Sequence, residues 1–389
     1  MRYSLTFTAA ILSLTICSLG CSSDQRSDSA SEGDVPIIRT ASEPQYISPL
    51  FDLNRDLVLG IDDGEPEWQL FTRLFYPLIA PDGRMYLPDY GRNEIYIVHT
   101  DGTLLARAGG PGSGPGEFQW IAGLFWTDPG HEFWAFDRRL NRFSSFTADG
   151  EFIRTQVLGQ QQGQYDWFVG LNDRMFLGLT SGSMREETNN RYSFLTEHLE
   201  VIREFIAVPP QQMWHDEKGG GWGMIHYTEM DGVVASPDGH ILSYHPYLPR
   251  ITLYTHDGIP IRHIEHHWEF PKVTEEEREV VRSNYRDNPR NENFRHWATD
   301  MPFPKTHAAF DFVLPDDQDR IWVRRTGTQR IGNRIIENIF DVFDLDGTWL
   351  GTQELPYEPA AILGEHVYFT YEAESGSQRF ARYVLIPRH

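Results

Sequence analysis

One unit recurs along this chain, and its spacing restricts the possible folds more than any other feature. It is an apolar strand, a turn, an aromatic-rich strand, a loop, a third strand, an Asp-Gly turn and a fourth strand. In the first copy Pro77 to Ala80 leads to Pro81-Asp82-Gly83, then Met85 to Leu87, Glu94 to His99, Asp101-Gly102 and Leu104-Leu105. In the second, Ile121 to Trp126 leads to Asp128-Pro129-Gly130, then Glu132 to Phe136, Arg142 to Phe146, Asp149-Gly150 and Phe152-Ile153. The Asp-Gly turns at 101 and 149 are 48 residues apart. A four-stranded propeller blade has a period of about 40–50 residues. Looser copies begin at Phe168, Val233, Phe310 and Ala360. The last copy has little chain left for a fourth strand. One of the early strands, Ile37 to Thr40 or Leu57 to Ile61, is expected to complete it and close the ring.

The strands alternate in character, as in Arg142-Phe143-Ser144-Ser145-Phe146, so each has a face to bury. A lone blade cannot cover its faces, and a closed ring of blades can. A β-sandwich or two smaller β domains would need less order in the spacing. The reading is therefore an all-β, six-bladed propeller of four-stranded blades occupying residues 35–389. Two excursions interrupt it. Pro209 to Thr228 carries Trp214-His215 and a Gly219-Gly220-Gly221 run. Between blades four and five, Pro271 to Thr306 (271–306) is a helical insertion. There Thr274 is placed as N-cap with Glu277 at the capping-box position, and Asn288-Pro289 as the stop. The charged stretch Glu275 to Arg278 reads as a solvated helix face.

The segment Gly112-Ser113-Gly114-Pro115-Gly116-Glu117-Phe118 resembles the glycine motif that leads into a blade of NHL-type six-bladed β-propellers. Phe133-Trp134-Ala135-Phe136-Asp137 and Met85-Tyr86-Leu87-Pro88-Asp89 take the place of that family's aromatic strand ending in Asp. The insertion, Pro302-Phe303-Pro304 and Arg320-Ile321-Trp322-Val323 look like a bacterial lipoprotein branch of it. The resemblance spans residues 50 to 389 and implies the fold. That branch has no agreed function to transfer, and propellers host binding modules and enzymes alike.

The N-terminus reads as an address. Arg2 precedes the apolar and small-residue run Leu5 to Leu19, which is short for a membrane span. Ser18-Leu19-Gly20-Cys21 resembles a lipobox, although that pattern prefers Leu where Ser18 stands. The expected parts are a signal peptide over 1–20, a lipid on Cys21 and a flexible acidic tether over 21–34. This places the chain in the cell envelope, lipid-anchored and facing the periplasm or the exterior. Both cysteines, Cys17 and Cys21, lie in this segment, so the body has no disulfide and no cysteine nucleophile. The formal charge of −22 disfavours nucleic acid as a partner.

If the ring is right, the residues just before the inner strands converge at one axial mouth. The candidate ligand-binding residues are Tyr76, Trp120, Asp166, Trp167, His226, Glu229, His307 and Glu358. Aromatic faces could stack a sugar or peptide ring. Carboxylates with imidazoles could hold one divalent cation, Ca or Zn, at the axis. His266 and His267 stand adjacent, which on a strand would turn their rings to opposite sides. Asp89 and Asp137 end strands, where carboxylates bond loop amides. No P-loop, G-x-S-x-G or H-x-x-x-H motif is present. The first reading is a monomeric, membrane-anchored binding or scaffold module for an envelope protein, peptide or glycan, with the balance against an enzyme. The alternative is a metal-assisted lyase or hydrolase with its site at the propeller axis.

Overall fold

The computed structural model describes residues 35–388, apart from 129, 159–164, 172–174, 184–185, 187, 327–329, 332–333 and 336–337. Cys21 and the segments expected to be a signal peptide and a tether lie outside the described residues. The repeat unit folds as a blade six times over, giving a six-bladed β-propeller. The inner strands are Leu78–Ile79, Ile121–Asp128, Trp167–Leu171, Gly232–Ala235, Phe310–Pro315 and Pro359–Leu363. Each heads an antiparallel four-stranded meander.

The N-terminal segment does two jobs. Strand β1 (Ile37–Arg39) adds parallel to Pro260–Glu265 as a fifth strand of blade four. The chain then crosses to blade five, where the Gln45 and Tyr46 N–H groups donate to the Trp349 and Leu350 carbonyls at 2.9 Å each. Strand β2 (Phe51–Leu59) then pairs with Gln378–Pro387 and becomes the outer strand of blade six. Ring closure therefore falls to β2, which starts six residues before the expected Leu57 to Ile61 strand.

The core is divided into layers between blades. Tyr96 of blade one packs with Tyr368 and Phe380 of blade six. Tyr86 meets Phe133 across blades one and two, and Trp134 meets Phe168 and Phe176 across two and three. Leu177 meets Ile241, Leu253 meets Phe310, and Trp322 meets Val367 across the remaining three junctions. The same layers explain one repeated glycine. Gly150 has φ 89°, which its turn requires, and a Cβ there would lie 2.7 Å from Ile97 Cδ1 of blade one. Gly150→Ala should cost about 1–3 kcal/mol through strain and crowding. Denaturant unfolding checks this, and a cost near zero would contradict the assigned inter-blade contact.

The two excursions form one accessory body. The insertion contains α1 (Glu275–Asp287) and α2 (Trp297–Asp300), and the first excursion pairs Met213–His215 with Trp222–Met224. Val281, Trp297 and Met301 make a small core with Trp214, Tyr227 and Phe303. The buried Asp216 carboxylate accepts from Trp297 Nε1 at 2.8 Å and bonds His296 Nε2 at 2.6 Å. Burial opposes its charge, but hydrogen bonds from Gly219 N, Trp297, His296 and Lys218 N together hold this carboxyl well below the usual range. A lowered folded value stabilises the body fully above the ordinary carboxylate range. That stabilisation fades as pH falls towards the lowered value. Asp216→Asn should therefore flatten the acid limb of the stability–pH curve, measured by urea unfolding across pH.

The capping box at Thr274 and Glu277 is present as read, but the charge run is not wholly solvated. Glu275 and Glu276 are exposed, whereas Glu277 is buried beneath the helix. Among the described residues no helix is long and apolar enough to cross a membrane.

Candidate functional site at the propeller axis

The inner strands begin on one face, here called upper, and two buried aspartates shape its rim. Asp89 accepts from the backbone N–H of Thr72 at 2.8 Å, Arg73 at 3.1 Å and Gly91 at 3.0 Å, and from the Thr72 hydroxyl. Tyr90 N–H donates to the Arg73 carbonyl at 2.8 Å. The chain is thereby fixed just before Phe75 and Tyr76. Asp137 repeats the device one blade on. It accepts from Gln119 N at 2.7 Å, Arg139 N at 2.9 Å and Leu140 N at 2.9 Å, while Arg138 N–H donates to the Trp120 carbonyl at 3.0 Å. The strand-ending aspartates thus bond loop amides, and those loops carry the rim aromatics Tyr76 and Trp120.

Tyr76 is more than half exposed and has φ 45°, a left-handed backbone that costs a non-glycine residue energy. Its ring centroid is 4.9 Å from that of Trp167. Tyr76 belongs to blade one and Trp167 to blade three, so this contact leans across the axis. Trp120 stands half exposed with the Arg138 guanidinium 5.9 Å from its ring centroid. Arg138 also ion-pairs with Asp166, whose other oxygen accepts from Ser181 N at 3.3 Å.

On the opposite side, Arg324 is buried at 4 % exposure. It donates through Nε to Asp311 at 2.7 Å and through Nη1 to Glu358 at 2.7 Å. Burial works against its charge, and the two carboxylates outweigh that effect. Glu358 is thereby held in place with half of its side chain open to solvent. Burial, and then the negative charge of Glu358, push the Tyr76 phenol above its ordinary value. The phenol, like an ordinary tyrosine, is protonated at neutral pH and able to donate.

Two of the sequence-derived candidates, both histidines, meet other partners. His307 is 2 % exposed, and its Nε2 lies 3.0 Å from Glu277 Oε1 of α1. His226 Nε2 lies 3.3 Å from the Tyr285 hydroxyl of the same helix, and burial pushes its imidazole down. Both imidazoles seat the insertion. Glu229 is half-buried, and its N–H donates to the Tyr247 hydroxyl at 3.4 Å. Among the described residues no group of three or more His, Cys, Asp or Glu is placed to hold a metal ion.

Below the rim runs a channel of about 860 Å³, open on the lower face. All six inner strands line it, through Leu78, Leu124, Gly170, Ala235, Leu314 and Ala361 among others. Asp82, Asp317, His366 and Arg382 stand among its polar lining residues. The channel, Arg138, Arg324 and Asp311 were not among the expected site features. Alternation marks Arg324 as inward-facing only if the strand Arg320–Arg325 is assigned first.

No family model matches this chain, and no curated protein matches it in sequence. Solved structures do match in shape. An exported protein from Bacteroides fragilis superposes with TM-score 0.54 over 90% of this chain and 99% of that one, at 11% identity. A member of the DUF4221 family from Bacteroides vulgatus gives TM-score 0.54, covering 87% and 99%, at 14% identity. What is shared is the fold. Virginiamycin B lyase from Staphylococcus aureus also matches, at TM-score 0.44 and 12% identity over 86% of this chain and 100% of that one. The balance against an enzyme drawn from the sequence does not stand: solved structures that match in shape include a named lyase, and fold alone decides neither way. No substrate and no residue role is taken from it.

Proposed function

We propose that this propeller is an enzyme of lyase or hydrolase type whose site is the upper axial mouth. The observation that carries the reading is the placement of Tyr76 and Glu358, each just before an inner strand at that mouth. One is a protonated phenol on a strained backbone, and the other is a carboxylate fixed by a buried arginine. A site that sets a donor against an acceptor can run acid–base chemistry. In the lyase form, Glu358 takes a proton from a substrate carbon and the bond to the leaving group breaks. The carbon–carbon double bond forms from the C–H electron pair, and Tyr76 gives its proton to the leaving group. Proton return from Glu358 to Tyr76, directly or through water, resets the site. Trp120, Trp167 and the Arg138–Asp166 pair orient a ligand bearing a ring. His226 and His307 are committed to the insertion and do not fit a metal role, so no step is routed through a cation.

The test is turnover on a panel of ring-bearing peptides and acidic polysaccharides, followed by mass spectrometry, with calcium, with zinc and with a chelator. Glu358→Gln and Tyr76→Phe should each lower the rate by about 10²–10⁴-fold while circular dichroism stays unchanged. Turnover indifferent to both changes would overturn the assignment.

The envelope address belongs to the same proposal and rests on the Leu5 to Leu19 run, Cys21 and the acidic tether. Mass spectrometry of the native N-terminus should find a lipid-modified Cys21 as the first residue. An unmodified Cys21, or a chain that starts elsewhere, would remove the anchor.

A further inference from the structure

The lower channel opens on the face opposite the proposed enzyme site, and a ligand there is independent of that site. Leu78, Ala235, Leu314, Ala361 and Leu363 line it and are only half-buried, so each keeps apolar surface that its own blade leaves uncovered. Gly170 lines it too, and only glycine fits there, because a Cβ would lie 2.6 Å from the Trp126 carbonyl oxygen. A space of about 860 Å³ with such a wall suits the apolar body of a small ligand.

The charges at its lower end are unequal. Arg382 is taken by Asp56, through Nη2 at 2.7 Å and Nε at 3.0 Å. Arg84 is shared between Asp82 at 2.7 Å and Asp149 at 3.0 Å. Burial, and then the charge of Arg382, push the His366 imidazole down towards its neutral form. Asp317 lines the channel just past the end of the inner strand Phe310–Pro315. Its Oδ1 accepts from Gly364 N at 2.7 Å. Two more carboxyls stand close to it. Burial, the charge of Asp319 and a hydrogen bond to Asp319 push the Asp238 carboxyl up, and the charge of Asp317 adds to the effect. Among the described residues no arginine or lysine ion-pairs with Asp238, Asp317 or Asp319.

The lower end of an apolar bore thus carries an excess of negative charge, and low-dielectric walls concentrate its field. An anionic ligand is repelled there. A neutral one gains from the wall but nothing from the carboxylates. A positive group joined to an apolar body gains from both. We infer that the lower channel is a binding site for a small amphiphilic cation, with its apolar part in the bore and its positive group at Asp317.

The experiment is ligand-observed NMR on the full chain with octylamine, octanol and octanoate, and with ethylamine as the charge without the chain. Octylamine should bind about tenfold or more tighter than octanoate, octanol should displace it, and ethylamine should fail to bind. Asp317→Asn keeps the acceptor for Gly364 N and should weaken octylamine about three- to tenfold while octanol is unaffected. Asp319→Asn, at an exposed position, should act in the same direction and guards against a folding defect in the first variant. Ala361→Phe should fill the bore and abolish binding of both. No octylamine binding, octanoate binding as tight, octylamine that octanol does not displace, or amine affinity unchanged in both aspartate variants would overturn the assignment.

Discussion

Glu277→Ala should lower the unfolding free energy by about 3 kcal/mol and release the insertion from the ring. Glu277 serves two structures at once. Its Oε2 accepts from Thr274 N at 2.7 Å and closes the capping box of α1, while Oε1 lies 3.0 Å from His307 on the approach to blade five. Alanine therefore removes the cap and leaves a buried imidazole without its partner. Thr274→Ala loses only the cap side and should cost about 1 kcal/mol. Glu277→Gln keeps an acceptor towards His307 and should fall between the two. Denaturant unfolding gives the free energies, and limited proteolysis within 271–306 reports release. A loss below that of Thr274→Ala would mean that His307 does not hold the insertion.

A cost of about 4 kcal/mol is expected for Asp89→Ala, because it strips the partner from a set of loop amides at a fully buried position. Asp89→Asn should cost less, since the amide keeps one oxygen for part of the set. The change should also reach the axis. Thr72 and Arg73 lose their tether, and Tyr76 lies on the same short segment. Ligand-induced quenching at the upper mouth, or turnover once a substrate is found, should fall in Asp89→Asn even where the ring stays folded. Full function in Asp89→Asn would separate the buried aspartate from the rim.

These cases show which features the sequence carried. Alternating strands and Asp-Gly turns are local signals, so the blades were legible, although the fourth strands read as Leu104-Leu105 and Phe152-Ile153 run on to Gly109 and Val157. The third strand of blade two, read as Arg142 to Phe146, spans Arg142–Thr147. Asp89 and Asp137 were legible too, because a carboxylate at a strand end has nearby amides to bond. The axial set was legible only in part. Tyr76, Trp120, Trp167 and Glu358 take part in the rim as the ring geometry requires. His226 and His307 also precede inner strands, but the insertion packs over them, and no local pattern marks a partner 59 or 30 residues away. The buried Arg324 and the placement of β1 on blade four are likewise long-range facts.

Ring closure through β2 also sets a timetable. The outer strand of blade six is made early and waits for Gln378–Pro387, the last strand of the ring, before it has a partner. Arg382 reaches back across 326 residues to Asp56. A ribosome, or an export channel passing the chain in the same order, therefore delivers five blades before the sixth can be completed. Throughout that interval β2 has an unpaired edge. Loss of Gln378–Pro387 alone would leave the ring open, so its harm should far exceed its length.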